Sequence, residues 1–108
     1  MYFHVFAFRW REGATERLQQ HATDAILAFQ GKIAGLIDVH VGQNDSPRGQ
    51  GYTFVGVMRF TDYDACCAYG IHPDHLALLE WLVPIIDPVE LDFSPIRLQP
   101  IVGHPLLV

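Results

Sequence analysis

The segment His4-Val5-Phe6-Ala7-Phe8-Arg9-Trp10 decides the fold. It alternates strictly, placing His4, Phe6, Phe8 and Trp10 on one face and Val5, Ala7 and Arg9 on the other, which is the two-residue period of a strand. One imidazole therefore shares a face with three aromatic rings, and most of that row must be core in so short a chain.

Outward from this strand, Gly13 breaks the run and Thr15 is placed to cap a helix. Leu18, Ala22, Ala25, Ile26 and Phe29 then recur at helical spacing until Gly31. Leu36, Val39 and Val41 mark a second strand ending at Gly42. The polar segment Gln43 to Gly51 reads as a loop, either a solvated hairpin or a lid, before a third strand over Tyr52 to Phe60, antiparallel to the second. Asp62 can cap a short helix through Tyr69. Pro73 opens another that is expected to run to about Asp87, where Pro88 stops it, leaving Val89 to Phe93 as the fourth strand. The order β-α-β-β-α-β predicts an α+β, ferredoxin-like antiparallel sheet with both helices on one face, over residues 1–95. The other face needs cover, which a second copy across a two-fold axis would supply, making a dimeric α+β barrel and a homodimer through the open sheet face. The apolar tail 96–108, with Ile101, Val102, Leu106, Leu107 and Val108, is expected to pack on the partner subunit.

Composition agrees with this picture. At 108 residues the chain is one domain, and 50% hydrophobic against 18% charged residues suits a protein hiding a second apolar face in a partner or a ligand pocket. The net charge of −5, from 12 acidic and 7 basic residues without a basic run, argues against nucleic acid as a partner. No apolar run approaches the roughly 20 residues of a membrane helix and no signal-peptide pattern opens the chain, so a cytoplasmic protein without a membrane partner is expected. Cys66 and Cys67 are adjacent, which disfavours a disulfide between them, and read as small core fillers.

Chemistry concentrates in Tyr69-Gly70-Ile71-His72-Pro73-Asp74-His75, a phenol and two imidazoles around a proline-broken helix junction. His75 falls in register with Leu78, Leu79, Leu82 and Ile86, so it projects from the apolar stripe of its helix. A buried imidazole needs a partner. Glu90 and Asp92 share one face of the last strand, and Asp92 is expected to accept from His75, with His4 as the other candidate. His75 could then act as a base on an acidic carbon between two carbonyls while Tyr69 hydrogen-bonds the oxygen that gains charge; this needs neither metal nor cofactor. The competing reading makes His75 a satisfied core histidine and Tyr69 a packing residue. His4, His75, Asp92 and Glu90 together would suit a metal, but no metal-type spacing supports one. His72, ahead of Pro73, suits a turn or cap, and His21, His40 and His104 read as surface residues.

From His4 to Pro95 the chain resembles the stress-responsive A/B barrel family, also called Dabb. The resemblance rests on His4 in the first strand, Gly51-Tyr52-Thr53, the Tyr69 to His75 junction and Asp92-Phe93-Ser94-Pro95, in that order. It implies the dimeric α+β barrel. Carried over from a plant polyketide cyclase of the family, which closes a linear poly-β-keto chain by aldol chemistry without a cofactor, it implies catalytic roles for Tyr69 and His75 and a pocket role for His4. Phe54 and Ile26 stand where that cyclase has histidine and tyrosine, and its aliphatic lining is replaced near Glu90, implying a pocket of different shape and charge. The expected substrate-binding set is His4, Phe6, Phe8, Ile26, Phe54, Leu78, Leu79 and Asp92. The expected ligand is a small apolar or aromatic carbonyl compound. The competing classes are a non-catalytic stress-associated barrel protein and, by analogy of fold alone, a cofactor-free or haem-dependent monooxygenase.

Overall fold

The structure of the chain, a computed structural model, describes residues 1–96; the apolar tail from residue 97 lies outside the described residues. Four strands, β1 (Tyr2–Trp10), β2 (Leu36–Gln43), β3 (Phe54–Phe60) and β4 (Ile86–Phe93), form one sheet in the order β2-β3-β1-β4 with every neighbouring pair antiparallel. Three helices, α1 (Glu16–Leu27), α2 (Tyr63–Gly70) and α3 (Pro73–Leu82), complete the ferredoxin-like α+β fold, and their buried residues meet a single face of the sheet.

Local chemistry sets the helix starts. Thr15 accepts a hydrogen bond from the Leu18 N–H and Asp62 from the Ala65 N–H, each satisfying an otherwise orphaned donor of the first turn. His72 does the same for α3, its Nδ1 accepting from the Asp74 N–H at 3.1 Å, with Pro73 at the first helical position; the cap reading of this histidine holds.

The third helix ends earlier than the sequence pattern suggests. Pro84 lacks an amide hydrogen and clashes with a preceding carbonyl, so α3 stops at Leu82 and a 3₁₀ turn over Val83–Ile85 delivers the chain into β4. Ile86 therefore belongs to the strand rather than to the helical stripe, and Pro88 lies within β4 instead of ending a helix. An edge strand tolerates it because β4 pairs with β1 on one side only.

Alternation in β1 divides the sheet into its two faces. Phe6 and Phe8 are buried beneath the helices with Phe54, Met58 and Phe60 of β3 and Val39 of β2. The opposite face carries Phe3, Val5, Ala7, Val55, Val57, Val89, Leu91 and Phe93. Among the described residues nothing covers it, and Leu91 and Phe93 are 61% and 48% exposed. Arg59, donating to Asp38 through Nε at 2.8 Å and through Nη2, closes one side of this apolar strip, and Arg9 with Asp87 another.

One close approach fixes the floor of the helical side. Phe6 pairs with Gly56 across β1 and β3, and its ring lies over Gly56 so tightly that a Cβ there would overlap the ring carbons. Gly56→Ala is accordingly expected to lift Phe6 and to destabilise the fold by about 1–3 kcal/mol, the usual range for overpacking. Urea unfolding of the variant against the parent protein measures this.

Candidate active site

Between α1, α3 and the sheet lies a cavity of about 250 Å³. The sheet contributes Phe6 and Phe8 as floor. Ile26 of α1 and Leu78, Leu79 and Leu82 of α3 form the walls, with Val83, Ile86 and Pro88 at the end where α3 gives way to β4. Polar groups enter from four residues only among those described: His4, Tyr69, His75 and Glu90. An apolar chamber with a few converging polar groups is the usual form of a small-molecule site. A more open groove of about 390 Å³, bounded by Trp10, Phe54, Gln43 and Glu16, Gln19, Gln20 and Thr23 of α1, gathers no comparable acid/base set.

The helix break between α2 and α3 builds the Tyr69/His75 pair. The last carbonyls of a helix have no partner within it, and Gly70 is the last residue of α2. His75, in the first turns of α3, reaches back so that its Nδ1 donates to the Gly70 carbonyl oxygen at 2.9 Å. A carbonyl can only accept, so Nδ1 carries the proton and Nε2 keeps its lone pair. The Tyr69 and His75 rings lie 4.3 Å apart between centroids, tilted by 39°. Tyr69 is only 5% exposed and is also packed by Phe29 and Phe60. Its hydroxyl has no hydrogen-bond partner among the described residues, and Tyr69 borders the cavity.

Burial sets the protonation of both groups. It lowers the His75 imidazole below its ordinary 6.5; the bond to the Gly70 carbonyl opposes this in part, and the neighbouring His4 adds to it. Burial, with smaller contributions from Cys66 and Glu90, pushes the Tyr69 phenol far above its ordinary 10.0. At neutral pH the pair is a neutral imidazole with a free lone pair beside a phenol that stays a donor.

Asp92 does not reach His75. The register of β1 against β4 sets His4 opposite Asp92, and the His4 Nδ1 lies 2.6 Å from the Asp92 carboxylate. A carboxylate accepts from Nδ1–H, turning the other ring nitrogen of His4 away from the strand partner. The His4 ring lies 5.4 Å from Phe6 and 6.1 Å from Tyr69.

Of the residues expected from sequence, His4, Phe6, Phe8, Ile26, Tyr69, His75, Leu78 and Leu79 border the one cavity. Two do not. Asp92 stands behind His4, and Phe54 is turned to the neighbouring groove, where it stacks on Phe8 at 5.4 Å and meets Trp10 edge-on. Glu90, Leu82, Val83, Ile86 and Pro88 were not in that set. Leu82 closes the same helical stripe as Leu78, Val83 lies in the 3₁₀ turn, and the early proline Pro84 starts β4 sooner and so brings Ile86 and Pro88 onto the cavity beside Glu90, already on the last strand. His75's partner also escaped the sequence, although a helix-ending glycine shortly before a histidine was a usable hint. His21 is exposed, as expected, and stacks on Trp81 of α3 at 4.5 Å. The loop after β2 does not line the cavity; it is tied to the sheet by Arg9, whose Nε donates to the Gln50 carbonyl and whose guanidinium lies 4.2 Å over the Tyr52 ring. Among the described residues no group of three His, Cys, Asp or Glu side chains is placed to hold a metal ion. Burial raises the Cys66 thiol to about 11, far from the reactive thiolate range, so it behaves as a packing group, whereas Cys67 is exposed and is not the core filler expected.

Fold and cavity together define a ferredoxin-like α+β protein with an acid/base pair in an apolar chamber. The chain belongs to the stress-responsive A/B barrel domain family, whose profile matches residues 3–95. No curated protein sequence matches it. Among solved structures it is similar to the Arabidopsis thaliana protein At3g17210, at 19% identity over 93% of this chain and 100% of the other with a TM-score of 0.83. It is also similar to a protein of unknown function from Thermobifida fusca, described as dimeric and ferredoxin-like, at 26% identity over 87% and 90% with a TM-score of 0.75. A third is the hydroxynitrile lyase of Passiflora edulis, at 14% identity over 92% and 96% with a TM-score of 0.82. No helix among the described residues is long and apolar enough to cross a membrane.

The lowered His75 pKa has a consequence for stability with a definite sign. As pH falls, the unfolded imidazole takes its proton near 6.5 while the folded one resists, so the stabilisation is complete above about 6.5 and is lost progressively below it, until the folded value is passed. The parent protein should therefore lose more stability than His75→Gln between pH 7 and 5, as read from urea midpoints at each pH.

Proposed function

We propose that this chain binds a small apolar carbonyl compound in the cavity between helices and sheet and performs cofactor-independent acid/base chemistry on it, with polyketide-type aldol cyclisation as the most concrete form. The observation that carries the proposal is the His75 Nδ1 bond to the Gly70 carbonyl, which leaves Nε2 as a lone-pair base beside the Tyr69 phenol. His75 would remove a proton from a carbon flanked by carbonyls. The Tyr69 hydroxyl would donate to the oxygen on which the enolate charge collects, and the apolar walls would keep that bond strong by excluding water. The enolate carbon would then attack a second carbonyl carbon of the chain, whose C=O π pair moves onto oxygen as an alkoxide, and the imidazolium would return its proton to that alkoxide. His4, oriented by Asp92, would hold the substrate's second oxygen. The Passiflora edulis relative is named a hydroxynitrile lyase, which supports an enzymatic role for this fold.

Product analysis by mass spectrometry, after incubation with a panel of linear poly-β-keto thioesters, tests the proposal. The parent protein is expected to form a cyclised product. Tyr69→Phe and His75→Ala should each form it at least about 10²-fold more slowly, the usual weight of a general acid or base. Products matching the protein-free control in every tube would favour the non-catalytic reading, in which the barrel serves as a stress-associated binding protein.

The working form we propose is a homodimer closed through the open sheet face. The exposed Leu91 and Phe93 beside Val5, Val57 and Val89 form an apolar strip that water leaves unpaid, and the Thermobifida fusca relative is described as dimeric. Leu91→Lys combined with Phe93→Lys should shift the sedimentation coefficient from that of a dimer to that of a monomer.

A further inference from the structure

Among the described residues Glu90 is the one carboxylate bordering the cavity, and no lysine or arginine borders it. The β1–β4 register sets Glu90 directly opposite Phe6, on the same face of the sheet. The far end of the Phe6 ring lies over Gly56, and the ring borders the cavity with the His4 and Phe8 rings at 5.4 Å each. An aromatic face with a carboxylate beside it is suited to a protonated amine, which gains from the ring quadrupole and from the ion pair together. A carboxylate or phosphate entering at the same place would meet a like charge at Glu90, with Asp92 two residues along the same strand face.

We infer that Glu90 with Phe6 determines the specificity of this cavity, and that its ligand carries a protonated amine on an apolar body rather than a carboxylate. Tyr69 and His75 would face the carbonyl end of that ligand, and Leu82, Val83 and Ile86 its hydrocarbon part. This deepens the proposed binding role of the cavity and rests on it, while standing apart from whether the Tyr69/His75 pair turns a substrate over.

Three probes of one shape separate the two claims: 2-phenylethylamine, 2-phenylethanol and phenylacetate, titrated at pH 7 into the ¹⁵N-labelled protein and followed by amide shifts. The amine is expected to bind about fivefold more tightly than the alcohol, as a partly exposed ion pair reinforced by an aromatic face allows, and phenylacetate more weakly than either. Glu90→Gln should bring amine and alcohol to within about twofold of each other. Added salt should weaken the amine alone. Equal binding of the three probes, or an amine preference that survives Glu90→Gln, overturns the inference and leaves the cavity as a binding site. Failure of all three, the alcohol included, overturns the cavity reading and the inference with it.

Discussion

The two-residue period of β1 is the constraint on which the rest of the molecule depends. β1 lies between β3 and β4, so its alternation fixes which side chains of three strands face the helices. His4, Phe6 and Phe8 bring Asp92, Glu90 and Pro88 with them on one side, and Met58, Gly56 and Phe54 on the other. A slip of one residue would turn the imidazole and the ring floor out to the open face and press Val5 and Ala7 into the core. The cost of losing several buried aromatic faces makes the register unique.

On this fixed floor the helices contribute two kinds of surface. α1 and the stripe Leu78 and Leu82 of α3 supply apolar cover, as any ferredoxin-like sheet requires. The break between α2 and α3 supplies something rarer, a helix-end carbonyl at the rim of an apolar chamber. His75 satisfies that carbonyl, and in doing so its tautomer and orientation are fixed. One hydrogen bond thus serves stability and chemistry together, because the carbonyl that would otherwise be an orphan is also what leaves Nε2 unprotonated. Tyr69, one residue before Gly70 and held among Phe29 and Phe60, cannot leave the pair without opening the core.

The two faces of the sheet divide the labour. The helical face holds the cavity and its few polar groups. The open face carries an apolar strip bounded by Arg59 with Asp38 and by Arg9 with Asp87, charges already neutralised within the chain. Such paired charges at the border leave register information without a net field, which suits contact with a like surface better than contact with a polyanion.

The sequence by itself determined the strand period of β1, the caps at Thr15, Asp62 and His72, the split β-α-β-β-α-β order and the Tyr69 to His75 junction, because each is written in residues close together along the chain. It did not determine how residues distant in sequence meet. Asp92 could serve His4 or His75 until the β1–β4 register gave it to His4, and Phe54 read as a pocket ring until packing turned it to the neighbouring groove. The end of α3 was misplaced because Pro84 and Pro88 are both helix breakers, and only pairing with β1 shows that the second lies in an edge strand. With that shift of the strand start, Ile86 and Pro88 became part of the cavity. Local periodicity fixes which face a side chain takes; only the tertiary structure decides which partner waits there, since register and cavity shape come from packing summed over the whole sheet.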